Sequence, residues 1–209
     1  MRKIIVLLII TLYGMFLTVD IFFYSGSLLS NILKFTSIVM CFFLACSYLT
    51  GSLNKKDTFL VVLALFFTIG ADIFLLFTNY HVIGIAFFIT VQCVYLIRYN
   101  KSVLQFSILY FIIAILIFTF TNISILYIFS GLYAVLILST LWATFKTSLS
   151  RYQLLLVRVG MILFILCDIH VALFNVLLRY SPYFNIASVA MWLFYLPSQF
   201  LIALSARNI

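Results

Sequence analysis

The sequence predicts an all-α, polytopic membrane bundle of eight transmembrane helices with both termini cytoplasmic. Three observations lead there. Hydrophobic residues make up 67% of the 209-residue chain and charged residues only 8%, so it cannot furnish the polar surface that a soluble domain requires. The apolar stretches have membrane-spanning length and are separated by short polar breaks. Positive residues gather in alternate breaks, the asymmetry that orients membrane helices.

The expected spans run over residues 3–24, 33–50, 57–78, 81–98, 102–120, 123–146, 154–178 and 183–205. The first follows Met1-Arg2-Lys3 and resembles a secretory leader at its start, but it continues to about Tyr24 without a small-residue cleavage site and is kept as a helix. Spans two and four are the shortest. The break at Asn79-Tyr80-His81 is so tight that spans three and four form a hairpin. Eight crossings place Arg2, Lys3, Lys55, Lys56, Arg98, Lys101, Lys146, Arg151 and Arg207 on one side, leaving Lys34 and Arg179 on the other, with Arg158 just inside span seven. The whole chain, 1–209, is one integral membrane domain. "ADIFLLFTN" (71–79) and "CDIHVALFN" (167–175) share Asp-Ile and a later Asn, the pattern that a parallel internal repeat around 57–98 and 154–205 would leave.

Composition excludes several function classes. The net charge of +8 is spread over loop ends and forms no compact basic domain, so no nucleic acid is expected as a partner. Cys41, Cys46, Cys93 and Cys167 lie inside apolar runs without CxxC spacing and read as small buried residues. No metal site is expected, because His81, His170 and the acids never repeat on one helical face. Neither a GxSxG nucleophile elbow nor a Walker loop is present, and no cofactor is expected.

The chemistry-bearing residues are few. The chain has only four acidic residues, and a carboxylate inside a membrane helix costs several kcal/mol unless it faces a bundle interior or a wet cavity. Asp72 and Asp168 are therefore the candidate catalytic pair, each about 10 Å from the outer boundary at 1.5 Å per residue. Asp20 reads as helix-end polarity, and Asp57 as a charge favoured at a helix N-terminus. Tyr195 and Gln199, four residues apart, share a face of span eight. Pro197 between them can free a backbone carbonyl. Gln92 and Tyr95 in span four read as site lining or as interhelical hydrogen-bonding groups. Lys34, near headgroup depth, can snorkel or meet a lipid phosphate. Carboxylates in the outer half beside a headgroup-level cation suit an amphiphile and point toward a lipid of the surrounding lipid bilayer.

"LKFTSIVM" (33–40), "LFFTIGADIFLLF" (65–77), "HVIGIAFFITVQCVYLIRY" (81–99), "VRVGMILFILCDIHVAL" (157–173) and "YLPSQFLIAL" (195–204) together resemble the YhhN family of membrane proteins. That family includes the TMEM86-type lysoplasmalogenases. Lys34, Asp72, Gly84, Phe88, Tyr95, Arg158, Gly160, Asp168, Tyr195 and Gln199 stand at its motif positions, making Lys34, Gln92, Tyr95, Arg158, Tyr195 and Gln199 candidate substrate-binding residues. The chain is a divergent member: Phe35 stands for the family's proline, Ala71 for glycine, Gln92 for histidine and Cys167 for serine. The resemblance implies hydrolysis of the vinyl-ether bond of a lysophospholipid, releasing a fatty aldehyde, in a multi-pass cell-membrane protein. The chain's small size adds an expectation of the bacterial cytoplasmic membrane. A small proton-coupled transporter and a catalytically silent lipid-binding protein are the alternatives. Polar residues look sparse in the inner half of the spans, which favours a closed pocket over a continuous path.

Overall fold

The computed structural model describes residues 2–22, 26–100, 112–113, 116, 124–176 and 182–207. Its long helices are α1 (Arg2–Phe22), α2 (Leu28–Cys46), α3 (Lys55–Phe77), α4 (His81–Tyr99), α5 (Ile125–Ala143), α6 (Arg151–Val176) and α7 (Pro182–Leu204), with a 3₁₀ turn at Leu49–Gly51. Among the described residues seven helices are long and apolar enough to cross a membrane. This corrects the count of eight. The expected span at 102–120 rested on apolar composition, which shows that a segment tolerates lipid but not that it crosses it as a helix, and all of that span but Ile112, Ile113 and Leu116 lies outside the described residues. The orientation drawn from eight crossings loses its basis with the count. A multi-pass, all-α membrane bundle stands.

Local sequence sets the helix ends. Ser27 caps α2 by accepting the Ser30 N–H at 3.2 Å, and Asn54 caps α3 through the Asp57 N–H at 3.1 Å. At α6, Ser150 accepts the Gln153 N–H while Gln153 Oε1 accepts the Ser150 N–H, both at 3.3 Å. This reciprocal pair is a capping box. The hairpin of α3 and α4 closes at Thr78, Asn79 and Tyr80. Gly84 makes its packing possible, since a Cβ there would lie 2.6 Å from the Leu75 side chain and 3.3 Å from the Ala71 carbonyl. Gly160 does the same for α6 and α7, where a Cβ would stand 3.0 Å from Ile202 and 3.3 Å from the Ser198 carbonyl.

Helix α7 is the organising element, packing on α1, α2, α3 and α6. Pro197 lies inside it and has no N–H to give to the carbonyl of Leu193, one turn earlier. The Tyr13 hydroxyl on α1 donates to that carbonyl instead, at 2.9 Å. Lipid cannot satisfy a freed carbonyl, so a neighbouring helix must. The outer surface carries the reverse chemistry, with Leu7, Phe22, Phe66, Trp142 and Leu155 exposed as lipid would require.

One face of the bundle is basic. The start of α1 meets the end of α2, where Arg2 donates to the Ser47 carbonyl at 2.6 Å and lies over the Tyr48 ring. The starts of α3 and α6 meet the ends of α4 and α7 there as well. Arg98 forks onto Asp57 (Nε to Oδ1 2.7 Å, Nη2 to Oδ2 2.9 Å) and donates to the Ser205 hydroxyl and carbonyl. Gln153 Nε2 donates to Asp57 Oδ2 and the same carbonyl. Asp57 and Arg98 are both buried. Reading Asp57 as a helix-end charge and Arg98 as an orientation signal therefore falls short: hydropathy cannot show that two helix-end charges from the same hairpin meet.

Two stability predictions follow from this geometry. Asp57→Asn leaves the Arg98 guanidinium buried without its counter-charge and lowers unfolding stability in detergent micelles by about 3–5 kcal/mol. Tyr13→Phe strands the Leu193 carbonyl and costs about 1–3 kcal/mol; a thermal midpoint unchanged from that of the unsubstituted protein would show that the proline-containing helix does not depend on this bond.

Candidate functional site

Asp72 on α3 and Asp168 on α6 each follow the first residue of their helix by the same separation, so they lie at similar depth, nearer the face opposite the basic one. Asp72 is buried, and both of its oxygens accept from the Tyr195 hydroxyl of α7, at 2.9 and 3.0 Å. Asp168 is half-buried and accepts from the Tyr133 hydroxyl of α5 at 2.8 Å. The two pairs share a wall. The Phe88 ring of α4 lies 5.9 Å from Tyr133, 6.3 Å from Tyr195 and 5.7 Å from Phe164, and Phe164 is 5.7 Å from Tyr195. Cys167 sits within electrostatic range of both carboxyls.

The four aspartates divide into two classes. Asp57 is matched by Arg98, and Asp20 by Lys34 at 2.8 Å with a further hydrogen bond from the Ser30 hydroxyl. Asp72 and Asp168 have phenol partners and no ion pair among the described residues. A carboxyl facing a cation is held ionised by it, whereas one facing a neutral hydroxyl can give up or take a proton without breaking an ion pair. Asp72 and Asp168, the expected catalytic pair, are thus the two carboxyls matched by neutral hydroxyls.

The other expected residues fall in three places. Lys34 is buried with Asp20, its ammonium 5.0 Å from the centre of the Trp192 ring. Trp192 in turn packs edge-on to Tyr195 at 5.1 Å. Lys34 thus reaches the site through that ring, and Asp20 is an ion-pair partner rather than simple helix-end polarity. Gln92, Tyr95 and Gln199 are fully buried. Gln92 lies against the Tyr133 hydroxyl, though outside the geometry of a hydrogen bond. Arg158 stands apart: it donates to the Thr144 carbonyl at 3.2 Å beyond the end of α5 and covers the Phe145 ring. Ten residues along α6 separate it from Asp168, about 15 Å at the helical rise.

Tyr133 is the site residue that the sequence reading missed. It is one of 13 tyrosines and sits in an apolar helix with no motif around it. Depth was the available signal. Tyr133 lies eight residues from the start of α5, and α5 packs against α6, which carries Asp168. His170 is turned elsewhere, with its Nδ1 on the Leu166 carbonyl at 2.7 Å and its ring on Phe194.

No curated protein and no solved structure matches the chain. A family model does match, and it spans residues 29–206, from the second residue of α2 to beyond the end of α7. That range holds both carboxyls, both tyrosines and the Phe88 wall, and the chain belongs to the YhhN family.

Proposed function

We propose that the chain hydrolyses the vinyl-ether bond of a lysophospholipid, releasing a fatty aldehyde and a glycerophospho-headgroup product. Family membership is consistent with a membrane hydrolase, and an interior site in a bilayer-embedded bundle suits an amphiphile. The observation that carries the reading is the pair of ion-pair-free carboxyls, Asp72 and Asp168, on either side of an aromatic wall.

The chemistry needs two carboxyls with different tasks. Protonation of the vinyl-ether β-carbon moves the π electrons into a new C–H bond and leaves an oxocarbenium ion. Water adds to the cationic carbon and loses a proton, giving a hemiacetal. The hemiacetal then breaks its bond to the glycerol oxygen, which takes a proton and leaves as an alcohol while the carbonyl forms. One water is consumed, and the proton borrowed in the first step is returned. Asp72, the more enclosed, is assigned as the acid. Asp168 is assigned to stabilise the cation and remove the proton of the attacking water. Tyr195 and Tyr133 hold the carboxyl groups in position, and the amides of Gln92 and Gln199 offer hydrogen bonds beside them. Phe88 and Phe164 wall the site with aromatic rings between the two tyrosine-held carboxyl groups.

The tyrosine partners also fit the substitution of Gln92 for the family's histidine. A glutamine hydrogen-bonds but does not titrate, so proton transfer rests with the two aspartates. Lys34, occupied by Asp20, keeps Trp192 against Tyr195 and lies on the headgroup side of the site.

The test is hydrolysis by purified protein in liposomes, offered a lysoplasmalogen and an ester-linked lysophospholipid, with aldehyde and fatty acid followed separately. The unsubstituted protein is expected to release aldehyde alone. Asp72→Asn and Asp168→Asn are expected each to lower that rate by about 10²–10⁴-fold, the usual contribution of a positioned acid or base. Absence of aldehyde at any pH with folded protein, or full activity in either variant, contradicts the proposal.

A further inference from the structure

Two arginines from distant parts of the chain meet on the basic face. Arg2 opens α1, and Arg207 follows the end of α7. Both side chains are exposed, and both come to one phenol. Arg2 Nη2 donates to the Ser47 carbonyl at 2.6 Å, and its guanidinium carbon stands 4.6 Å from the centre of the Tyr48 ring. Arg207 lies within electrostatic range of the same tyrosine, as does the exposed Tyr152 of α6. Bonds already made fix the backbone at each position. The Ala206 carbonyl, beside Arg207, accepts from the Thr58 hydroxyl at 3.0 Å. The Ser205 carbonyl before it is held by Arg98 and by Gln153, which directly follows Tyr152. The Asp57 network thus sets where Arg207 and Tyr152 start, and the Ser47 carbonyl holds Arg2.

Charge is what this arrangement leaves unbalanced. Like charges brought together repel, so two guanidinium groups beside one phenol favour an anion between them. The chain has no glutamate and four aspartates. Asp57 is matched by Arg98 and Asp20 by Lys34, while Asp72 and Asp168 lie deeper with their tyrosines. Among the described residues no acidic side chain pairs with Arg2 or Arg207. Lys3, Lys55, Lys56 and Arg151 are exposed on the same face and add to its positive potential. Toward the membrane interior the surface turns apolar at once, with Ile4, Leu7 and Phe43 exposed. Leu53, two residues past Gly51, is 84% exposed, an apolar side chain that interfacial lipid would cover.

We infer that Arg2, Arg207, Tyr48 and Tyr152 form a binding site for the phosphate of an anionic phospholipid, on the basic face and apart from the two-carboxyl site. A guanidinium presents paired N–H donors to phosphate oxygens, and the phenols add hydroxyl donors beside them. The surroundings select the kind of anion. A free anion makes no use of the apolar side chains next to the arginines, whereas a lipid lays its acyl chains along them. A zwitterionic headgroup would bring a cation of its own among Lys3, Lys55 and Lys56; a headgroup of net negative charge does not. Clusters of basic residues at the end of a membrane helix attract anionic lipid for this reason. Bound there, one lipid bridges the start of α1 and the end of α7, the first and last of the described helices.

Native mass spectrometry of the full chain released from detergent micelles tests the inference without substrate or turnover, so its outcome is independent of the proposed hydrolysis. The protein is titrated with phosphatidylglycerol and with phosphatidylcholine of the same acyl chains. One phosphatidylglycerol is expected to bind at least about tenfold more tightly than phosphatidylcholine, from two arginines at the membrane surface. In Arg2→Gln/Arg207→Gln that preference is expected to disappear, and in Lys55→Gln/Lys56→Gln, which removes as much charge from the same face, to persist. Arg207→Gln alone, at an exposed side chain, keeps the test open should the double arginine variant fold poorly, and is expected to weaken phosphatidylglycerol binding several-fold. Equal affinity for the two lipids overturns the inference. An equal loss in the lysine pair overturns it as well, since a diffuse field would then suffice, as does displacement of phosphatidylglycerol by millimolar inorganic phosphate.

Discussion

The constraint on which this structure depends is that lipid satisfies no polar group, so each carboxyl within the bundle must find its match inside the protein. Four aspartates are available, and each is met by a side chain from a different helix: Asp20 by Lys34, Asp57 by Arg98, Asp72 by Tyr195 and Asp168 by Tyr133. These contacts tie α1 to α2, α3 to α4, α3 to α7 and α5 to α6. Apolar packing alone specifies such a bundle poorly, because a leucine gains little by exchanging lipid for protein. The polar matches add directional contacts that fix which faces meet.

On the proposed function, the two kinds of match separate framework from chemistry. The Asp57 network binds four helix ends into one face, using both faces of the Arg98 fork, two atoms of Ser205 and the Gln153 amide. The tyrosine-matched pair is held by single hydroxyl donors and stands beside the rings of Phe88 and Phe164. Helix α7 joins the two regions: its Tyr195 positions Asp72 and its Ser205 holds Arg98. The Leu193 carbonyl that Pro197 leaves free is met from α1 by Tyr13.

Much of this was legible in the sequence where a single residue carries the signal. Hydropathy located seven helices to within a few residues, because apolar length is a local property. Asp72 and Asp168 stood out because a carboxylate is rare at that depth. The spacing of Tyr195 and Gln199 put them on one face, and Pro197 announced a freed carbonyl. What stayed hidden were the pairings. Nothing local distinguishes Tyr133 from the other tyrosines, nor says that Arg98 turns inward to Asp57 when other basic residues mark a membrane boundary. Lys34 was singled out for its depth, but its partner Asp20 belongs to another helix. Arg158 was grouped with the aspartates by motif, while the helical rise separates them. The count of eight failed for a related reason, since an apolar run states compatibility with lipid and no more.

The central claim is that the Asp72 and Asp168 pairs act as one site, and a double-mutant cycle on their phenols tests it most directly. Aldehyde release from lysoplasmalogen would be measured for Tyr133→Phe, Tyr195→Phe and the double variant, with all three shown to be folded. Groups that serve one transition state are strongly non-additive. The account predicts that each single variant is impaired and that the double variant is little slower than the worse single one. Independent, multiplicative losses, or a single variant as active as the unsubstituted protein, would contradict a joint site.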